Sequence, residues 1–361
     1  MLKYALIGCG RISPNHLEAA KKYPDELEIV GICDVDKKNM SELLECTNSV
    51  GYKEYIDYKE MIKTEKPGLV AIATESGYHH EIAMFCIENG CNLIIEKPIA
   101  LSIKDADEII AAAEKYGVLV SACHQNRFNK SILKLKETMD EGKFGRLFHG
   151  NASIRWFRGE SYYSQAKWRG TWALDGGALM NQCIHNIDLL RFLMGGEISE
   201  VFAYTARLSH PYIEAEDLGV ALIKFKNGSY GVIEGTTNVY PQNLEETLTL
   251  FGSTGTVKVG GKSVNKIEYW AFPDTKENVE ELMEKNSEMP ENVYGFGHSK
   301  LYKNVIDALK NGTEPAITAK DGKNALELIL AIYKSAAEGR PVKLPLTECA
   351  STDFIGRFDK K

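Results

Sequence analysis

The sequence predicts an α/β protein of two domains, a doubly wound parallel sheet over residues 1–122 and a second domain over residues 123–361 built on consecutive strands. Three observations carry this expectation. The first third alternates short unbroken apolar runs with helical segments, the pattern of βα units covered on both faces. A glycine turn, Gly8-Cys9-Gly10, follows the first of those runs. At 361 residues, the chain is also longer than one ordinary core serves.

Composition narrows the function classes. With 44% hydrophobic and 26% charged residues the chain reads as globular, and a net charge of −7 with no Lys/Arg-rich block argues against nucleic acid as a partner. Met1-Leu2-Lys3 runs directly into a strand, and no apolar run approaches membrane-spanning length. No signal peptide or membrane partner is therefore expected, and a cytoplasmic location is. The eight cysteines form no CxxC pair, and Cys33, Cys86 and Cys123 sit inside apolar stretches, as buried reduced thiols do.

Taken in order, residues 3–7 form a strand, and the turn Gly8-Cys9-Gly10-Arg11-Ile12-Ser13 leads into a helix from Leu17 to Lys22. Gly8 permits the tight turn, and Gly10 leaves room for a pyrophosphate at the helix N-terminus. Ser13 stands where the usual pattern has its third glycine or alanine. Residues 28–33 form a second strand ending at Asp34, placed to accept hydrogen bonds from a ribose and to repel a 2′-phosphate, which favours NAD over NADP. Strands at 68–73, 92–95 and 118–122 follow. After the third strand come Thr74-Glu75-Ser76-Gly77-Tyr78-His79-His80, at the edge where such a sheet holds its ligand. Adjacent histidines on a helix point apart, so no metal is expected there. Glu96-Lys97-Pro98 follows the fourth strand. Lys97 is either an exposed turn lysine or an ammonium that steadies a substrate oxygen or acts as a base.

In the second domain, residues 168–194 read as a loop whose Asp175-Gly176-Gly177 caps one apolar helix closing at Gly195-Gly196. Asn181, His185 and Asp188 then lie at i, i+4 and i+7 on one face, as a structural polar network or as the wall of an active site. Strands at 145–156, 198–209, 218–225, 229–237, 246–251 and 256–259, with hairpin turns at Asn227-Gly228 and Ser253-Thr254-Gly255, make a meander. One face of it would pack on the helices, while the other keeps apolar positions such as Val220 and Leu222. A homo-oligomer, dimer or tetramer, is expected to cover that face. The acidic stretch from Lys276 to Glu291 reads as exposed. Gly295-Phe296-Gly297-His298 opens a helix to Asn311, with His298 either a helix start or a border of the substrate pocket. A last amphipathic helix runs from Asp321 to Glu338, before Val342-Lys343-Leu344.

The glycine turn, Glu96-Lys97-Pro98 and the glycine-pair helix carrying His185 resemble the glucose-fructose oxidoreductase, inositol dehydrogenase and MocA family, over nearly the whole chain. The resemblance implies a Rossmann domain followed by an α/β domain with a large open, mainly antiparallel sheet. It also implies catalytic roles for Lys97 and His185 and a cis peptide before Pro98. Many members carry Asp where this chain has Asn181, which leaves that position as a substrate hydrogen-bonding group. Gln125-Asn126-Arg127-Phe128-Asn129, Arg155-Trp156, Tyr162-Tyr163 and Trp168-Arg169-Gly170-Thr171-Trp172 are similar to the bacterial UDP-N-acetyl-2-amino-2-deoxyglucuronate 3-dehydrogenases.

That likeness implies NAD-dependent oxidation of a sugar C3 hydroxyl on a UDP-sugar, with 2-oxoglutarate a candidate reoxidant. The residues expected at the cofactor are Gly8, Gly10, Arg11, Ile12, Asp34, Thr74, His79, Glu96, Lys97, Gln125, Trp168 and Arg169. Those expected at the substrate are Lys97, Arg127, Arg155, Tyr163, Asn181 and His185. Arg158 and Arg169 add cationic partners, and Trp156, Tyr162 and Trp172 are candidates for stacking. Another sugar or polyol dehydrogenase of the family and a non-catalytic NAD sensor are the rival readings.

Overall fold

The computed structural model describes residues 1–195, 197–273, 278–290, 293 and 295–359. The chain divides into two compact units, one of Met1–His124 with His298–Lys323 and one of Gln125–Gly297 with Asn324–Lys361.

In the N-terminal part, β1 (Leu2–Ile7), α1 (Ser13–Lys21), β2 (Leu27–Cys33), α2 (Lys37–Cys46), β3 (Glu54–Tyr55), α3 (Tyr58–Glu65), β4 (Leu69–Ile72), α4 (His79–Glu88), β5 (Asn92–Ile95), α5 (Ile103–Tyr116) and β6 (Val120–Ala122) follow one another. The strands pair in parallel in the order β3-β2-β1-β4-β5-β6. This is the doubly wound sheet, and all four residues of β4 are buried, as a strand covered on both faces requires.

The second part contains α6 (Lys130–Asp140), β7 (Leu147–Arg155), α7 (Glu160–Tyr163), α8 (Ala178–Asn181), α9 (Ile184–Met194), β8 (Ile198–Ala206), β9 (Leu218–Phe225), β10 (Tyr230–Thr236), β11 (Glu245–Gly252), β12 (Thr256–Gly260), β13 (Lys266–Ala271), α10 (Val279–Lys285), α11 (Gly297–Asn311), α12 (Ala319–Glu338) and β14 (Val342–Lys343). Its eight strands run in the order β13-β12-β11-β7-β10-β9-β8-β14. Among the described residues of this sheet only β7 and β10 pair in parallel, so it is large, mixed and mainly antiparallel.

Four expectations need correction. The strands do not form one meander: β8–β9–β10 and β11–β12–β13 are two separate runs, and β7 lies between β10 and β11. The segment His298–Lys323 belongs to the first unit, not the second, because apolar residues of α11 such as Tyr302 and Val305 complete its core. The helix expected from Gly177 onward is two pieces. The Cys183 amide donates to Ala178 O, and Asn186 and Ile187 both donate to Cys183 O, so the ladder restarts at Cys183. Asp175 does not cap it either. The α8 amide of Leu179 donates to the Glu216 carboxylate at 2.7 Å, and Gly177, at φ +100°, lies so near Glu216 that a Cβ would sit 1.9 Å from Oε2. Gly196, Lys276, Glu277 and Glu291 lie outside the described residues, and α9 ends at Gly195 in the left-handed conformation expected of a C-terminal glycine.

Alternation along β9 and β10 leaves one face of the second sheet open. Leu222 is 60% exposed and Val220 39%, with Tyr204 and Tyr230 beside them, while Ala221, Ile223 and Ile233 are buried on the other face. Among the described residues, no helix is long and apolar enough to cross a membrane.

Gly8 anchors the first unit's ligand edge, since at φ +92° its Cβ would lie 2.5 Å from the Ala73 carbonyl, whereas Gly10 has open space around it. Gly8→Ala should therefore lower unfolding stability by at least about 2 kcal/mol. Gly10→Ala should leave stability within about 0.5 kcal/mol and weaken NAD binding instead. Urea melts and NAD titrations of the two variants check this.

Candidate functional site

In the first unit the glycine turn and the end of β2 are tied together. Asp34 accepts from the Cys9 amide at 2.8 Å through Oδ2, and through Oδ1 from the Asp36 amide and the Asn39 amide group at 2.9 and 3.1 Å. Ser13, fully buried as the first residue of α1, donates to Gly10 O at 2.6 Å, which explains a hydroxyl where small residues are usual. The helix start carries no side-chain cap and no acidic residue in its first turn. Its amides and the positive end of its dipole are thus open to an anion. Thr74 follows β4 at the strands' carboxyl edge, and Arg11 and Ile12 form the turn itself.

His79 is buried and holds two carbonyls, with Nδ1 2.8 Å from Pro98 O and Nε2 3.1 Å from Thr74 O. It fastens the β4 edge to the segment after β5, and burial pushes its imidazole pKa down. That position makes it a support for cofactor-edge residues. His80 is paired with Glu108 at 2.8 Å, and Asp105 stands 3.8 Å away.

Glu96 and Lys97 follow β5, and the Lys97–Pro98 peptide is cis. Glu96 is 5% exposed. Its Oε1 lies 3.0 Å from His16 Nε2 and 3.6 Å from His298 Nε2, and its Oε2 accepts from the Lys97 amide at 3.0 Å. Behind His16, Nδ1 meets the Tyr302 hydroxyl at 2.8 Å, and that hydroxyl meets Tyr4 at 2.8 Å. Burial alone would raise the Glu96 carboxyl, yet the hydrogen bonds from His16 and His298 and the charges of His16 and Lys97 hold it well below the usual range. His16, Glu96, Cys123 and His298 thus form a group of metal-ligand type that sequence spacing did not reveal, and His80, Asp105 and Glu108 form a second, of three. Both His16 nitrogens are engaged, by Tyr302 and Glu96, while His298 Nε2 stands 3.6 Å from Glu96 as a longer ion-pair contact.

In the second unit, the three polar residues of the helix take three different partners. Asn181 donates to Asp175, His185 Nε2 faces the Gln125 amide nitrogen at 3.5 Å, and Asp188 receives Arg127 Nε and Nη2, one edge of its guanidinium, at 2.7 and 2.5 Å. Arg127 also lies 4.2 Å over Phe192, in a buried ion pair that fixes α9 to the segment around Gln125. Beside them, Tyr162 receives Arg169 at 2.7 Å and Gln182 at 2.9 Å. The Arg158 and Arg169 guanidiniums stack on the Tyr162 ring at 5.1 and 4.4 Å, Arg158 also covers Trp156, and Arg169 covers Trp168. Tyr163 is buried with its hydroxyl 3.3 Å from Thr237. Trp172 is fully buried against Tyr333 and Phe354, so it is core.

Arg155 is the clearest departure. On β7 it points to the open face, paired with Glu234 and Glu245, whereas α8 and α9 pack on the other face through Leu179 and Leu190. An arginine that far round the strand does not share a face with His185. Sequence reasoning also missed Glu246. Neighbouring Glu245 on β11, it turns inward beside Ile154, with Oε2 buried and unpartnered, and burial pushes its carboxyl up to about 8 despite the nearby Arg158 charge. Glu216 is likewise raised by burial to about 8.

Both carboxyls are protonated in the folded chain at neutral pH, whereas an unfolded carboxyl ionises near pH 4.3. Their contribution to stability is full below that value and is lost as pH rises toward 8. Glu246→Gln should therefore flatten the fall in unfolding free energy between pH 5 and 8, measured by urea melts across that range.

Residues 2–124 match an oxidoreductase family's NAD-binding Rossmann fold, and residues 136–344 match the same family's C-terminal alpha/beta domain. The chain is similar to the WlbA dehydrogenase of Bordetella pertussis, solved with NADH and UDP-GlcNAcA. The two are 36% identical with a TM-score of 0.89, covering 96% of this chain and 98% of that one. It is similar also to WlbA from Chromobacterium violaceum, solved with the same two ligands, at 37% identity and TM-score 0.87 over 96% of each chain. The myo-inositol 2-dehydrogenase of Thermotoga maritima is 27% identical over 95% of this chain and 98% of its own length. The chain is an NAD-dependent oxidoreductase belonging to the glucose-fructose oxidoreductase, inositol dehydrogenase and MocA family.

Proposed function

We propose that this protein oxidises the C3 hydroxyl of a UDP-amino-sugar to the 3-keto sugar in cell-surface polysaccharide biosynthesis, with UDP-N-acetylglucosaminuronic acid the preferred substrate. The observation that carries the reading is the full-length similarity to a dehydrogenase crystallised with NADH and UDP-GlcNAcA. NAD, when bound, accepts the hydride at nicotinamide C4. As the hydride leaves the carbon, the hydroxyl O–H bond breaks and its electron pair becomes the carbonyl. Lys97 steadies the oxygen's developing charge and His185 takes the proton.

Several local features support those roles. Lys97 follows a central strand at its carboxyl end, where such sheets hold ligands. Gln125 lies 3.5 Å from His185 Nε2 and orients the imidazole. Of the arginines expected to meet the substrate's negative groups, Arg158 and Arg169 suit the task best, because their hydrogen bonds go to neutral oxygens. Arg127 and Arg155 face carboxylates. A cytoplasmic homo-oligomer completes the reading, with the open sheet face covered by a second copy.

A second reading, a polyol dehydrogenase, is favoured by the myo-inositol relative. The full chain with NAD and UDP-GlcNAcA should generate reduced nicotinamide, followed by absorbance with and without 2-oxoglutarate, and UDP alone should raise the melting temperature. Turnover of myo-inositol without any response to UDP would decide for the second reading. Lys97→Ala should lower kcat by about 100-fold or more while NAD affinity stays nearly unchanged. Light scattering should report a dimer or tetramer.

A further inference from the structure

Four places in the first unit send a metal-binding side chain to one point: His16 from α1, Glu96 after β5, Cys123 after β6 and His298 from the first turn of α11. All four are buried, and one ligand atom from each lies within 4.8 Å of the others. Glu96 Oε1 is already 3.0 Å from His16 Nε2 and 3.6 Å from His298 Nε2. Donor atoms around a tetrahedral zinc ion stand roughly 3.3 to 3.8 Å apart, as bonds of about 2.0 to 2.3 Å require. Hydrogen bonding accounts for only part of this group. His298 is 4% exposed, yet neither of its ring nitrogens has a hydrogen-bond partner, and Nε2 is aimed at the carboxylate. A buried imidazole in that state calls for a partner the polypeptide does not supply. His16 has the complementary arrangement. Its Nε2 faces the cluster while Nδ1 meets the Tyr302 hydroxyl at 2.8 Å, and that hydroxyl meets Tyr4 at 2.8 Å. An outer hydrogen bond of this kind is what orients a metal-bound imidazole.

We infer that His16, Glu96, Cys123 and His298 form a closed four-coordinate site for one zinc-type divalent ion, which ties α1 and α11 to the edge of the first sheet. Two imidazoles, a thiolate and a carboxylate are a zinc or cobalt donor set, whereas magnesium and calcium take oxygen ligands. On binding, the Cys123 thiol gives its proton to solvent and the sulfur lone pair goes to the metal, with no electron transferred. Charge then balances: the thiolate and the carboxylate offset the dication, and the two imidazoles are neutral. A site without net charge is the kind a water-poor interior tolerates. With all four positions taken by protein, no position is left for substrate, so the ion is structural and the inference stands apart from the substrate reading. His80, Asp105 and Glu108, partly exposed and without a thiolate, provide an internal control.

The test uses the full-length chain and the metal alone. Reduced protein stripped with a chelator should take up one equivalent of Zn²⁺ and release about one proton, from Cys123. At a hundredfold excess over Kd its melting temperature should rise by about 3 °C or more. With Co²⁺ in place of zinc, a near-ultraviolet thiolate-to-cobalt charge-transfer band should appear together with the strong visible bands of tetrahedral cobalt. Cys123→Ser should remove the charge-transfer band. His298→Gln should weaken zinc binding by more than the roughly 100-fold that loss of an outer partner costs. His80→Ala should change neither. A wild-type chain without the charge-transfer band at saturating Co²⁺ overturns the inference, and so does a band that survives in Cys123→Ser. Should the variants fail to fold, zinc-edge X-ray absorption of the wild-type complex decides. One sulfur with two imidazoles in the metal's shell supports the site, and a shell of oxygen and nitrogen alone overturns it.

Discussion

A carboxylate buried away from water has to be met on its lone pairs, and the first unit is arranged around meeting one. Glu96 brings α1, α11 and the end of β5 to a single point through His16, His298 and the Lys97 amide. Remove the carboxylate and His16 keeps its bond to Tyr302 but loses its other partner. The same demand explains why His298–Lys323, distant in sequence, belongs with the first unit. On that helix the Tyr302 hydroxyl meets His16 and Tyr4, and His298 stands 3.6 Å from Glu96.

The second unit solves the equivalent problem twice. Arg127 and Asp188 neutralise each other in a bidentate pair that is almost fully buried, which fixes the azimuth of α9. Glu216 satisfies the first amides of α8 and receives the Tyr333 hydroxyl at 2.8 Å, and Gly177 is there because any side chain would occupy the carboxyl's place. The glycine pair is thus a consequence of a distant glutamate. With α9 set by Arg127 and α8 by Glu216, the short break at Cys183 becomes the joint between two independently anchored pieces, and His185 sits one residue into the second.

These details show where the sequence was legible. The parallel sheet could be read because its signals are local: apolar runs, the glycine turn and Asp34 each act within a few residues of themselves. The centre of the second sheet could not, since the order of β7 and β10 depends on a parallel pairing that no turn residue announces. The one-face pattern of Asn181, His185 and Asp188 assumed one continuous helix, which the break at Cys183 divides between α8 and α9. Their partners, Asp175, Gln125 and Arg127, lie at other places in the chain, and only tertiary contact assigns them. Arg155 was misjudged for a simpler reason: strand alternation decides its face, and the strand's inward residues are Ala152 and Ile154.

Sorting the arginines by partner is what turns a basic residue count into a chemical statement. An arginine facing two carboxylates, as Arg155 does with Glu234 and Glu245, offers an anionic ligand little, since the ligand must compete with charges already in place. Arg158 and Arg169 are different, because aromatic faces and neutral oxygens hold their planes without neutralising them. Glu246, inward and raised toward the protonated form, sets a limit on that region's field: while it remains neutral it withdraws nothing from Arg158. Positive charge therefore persists on the inner side of the second sheet of a chain whose net charge is −7.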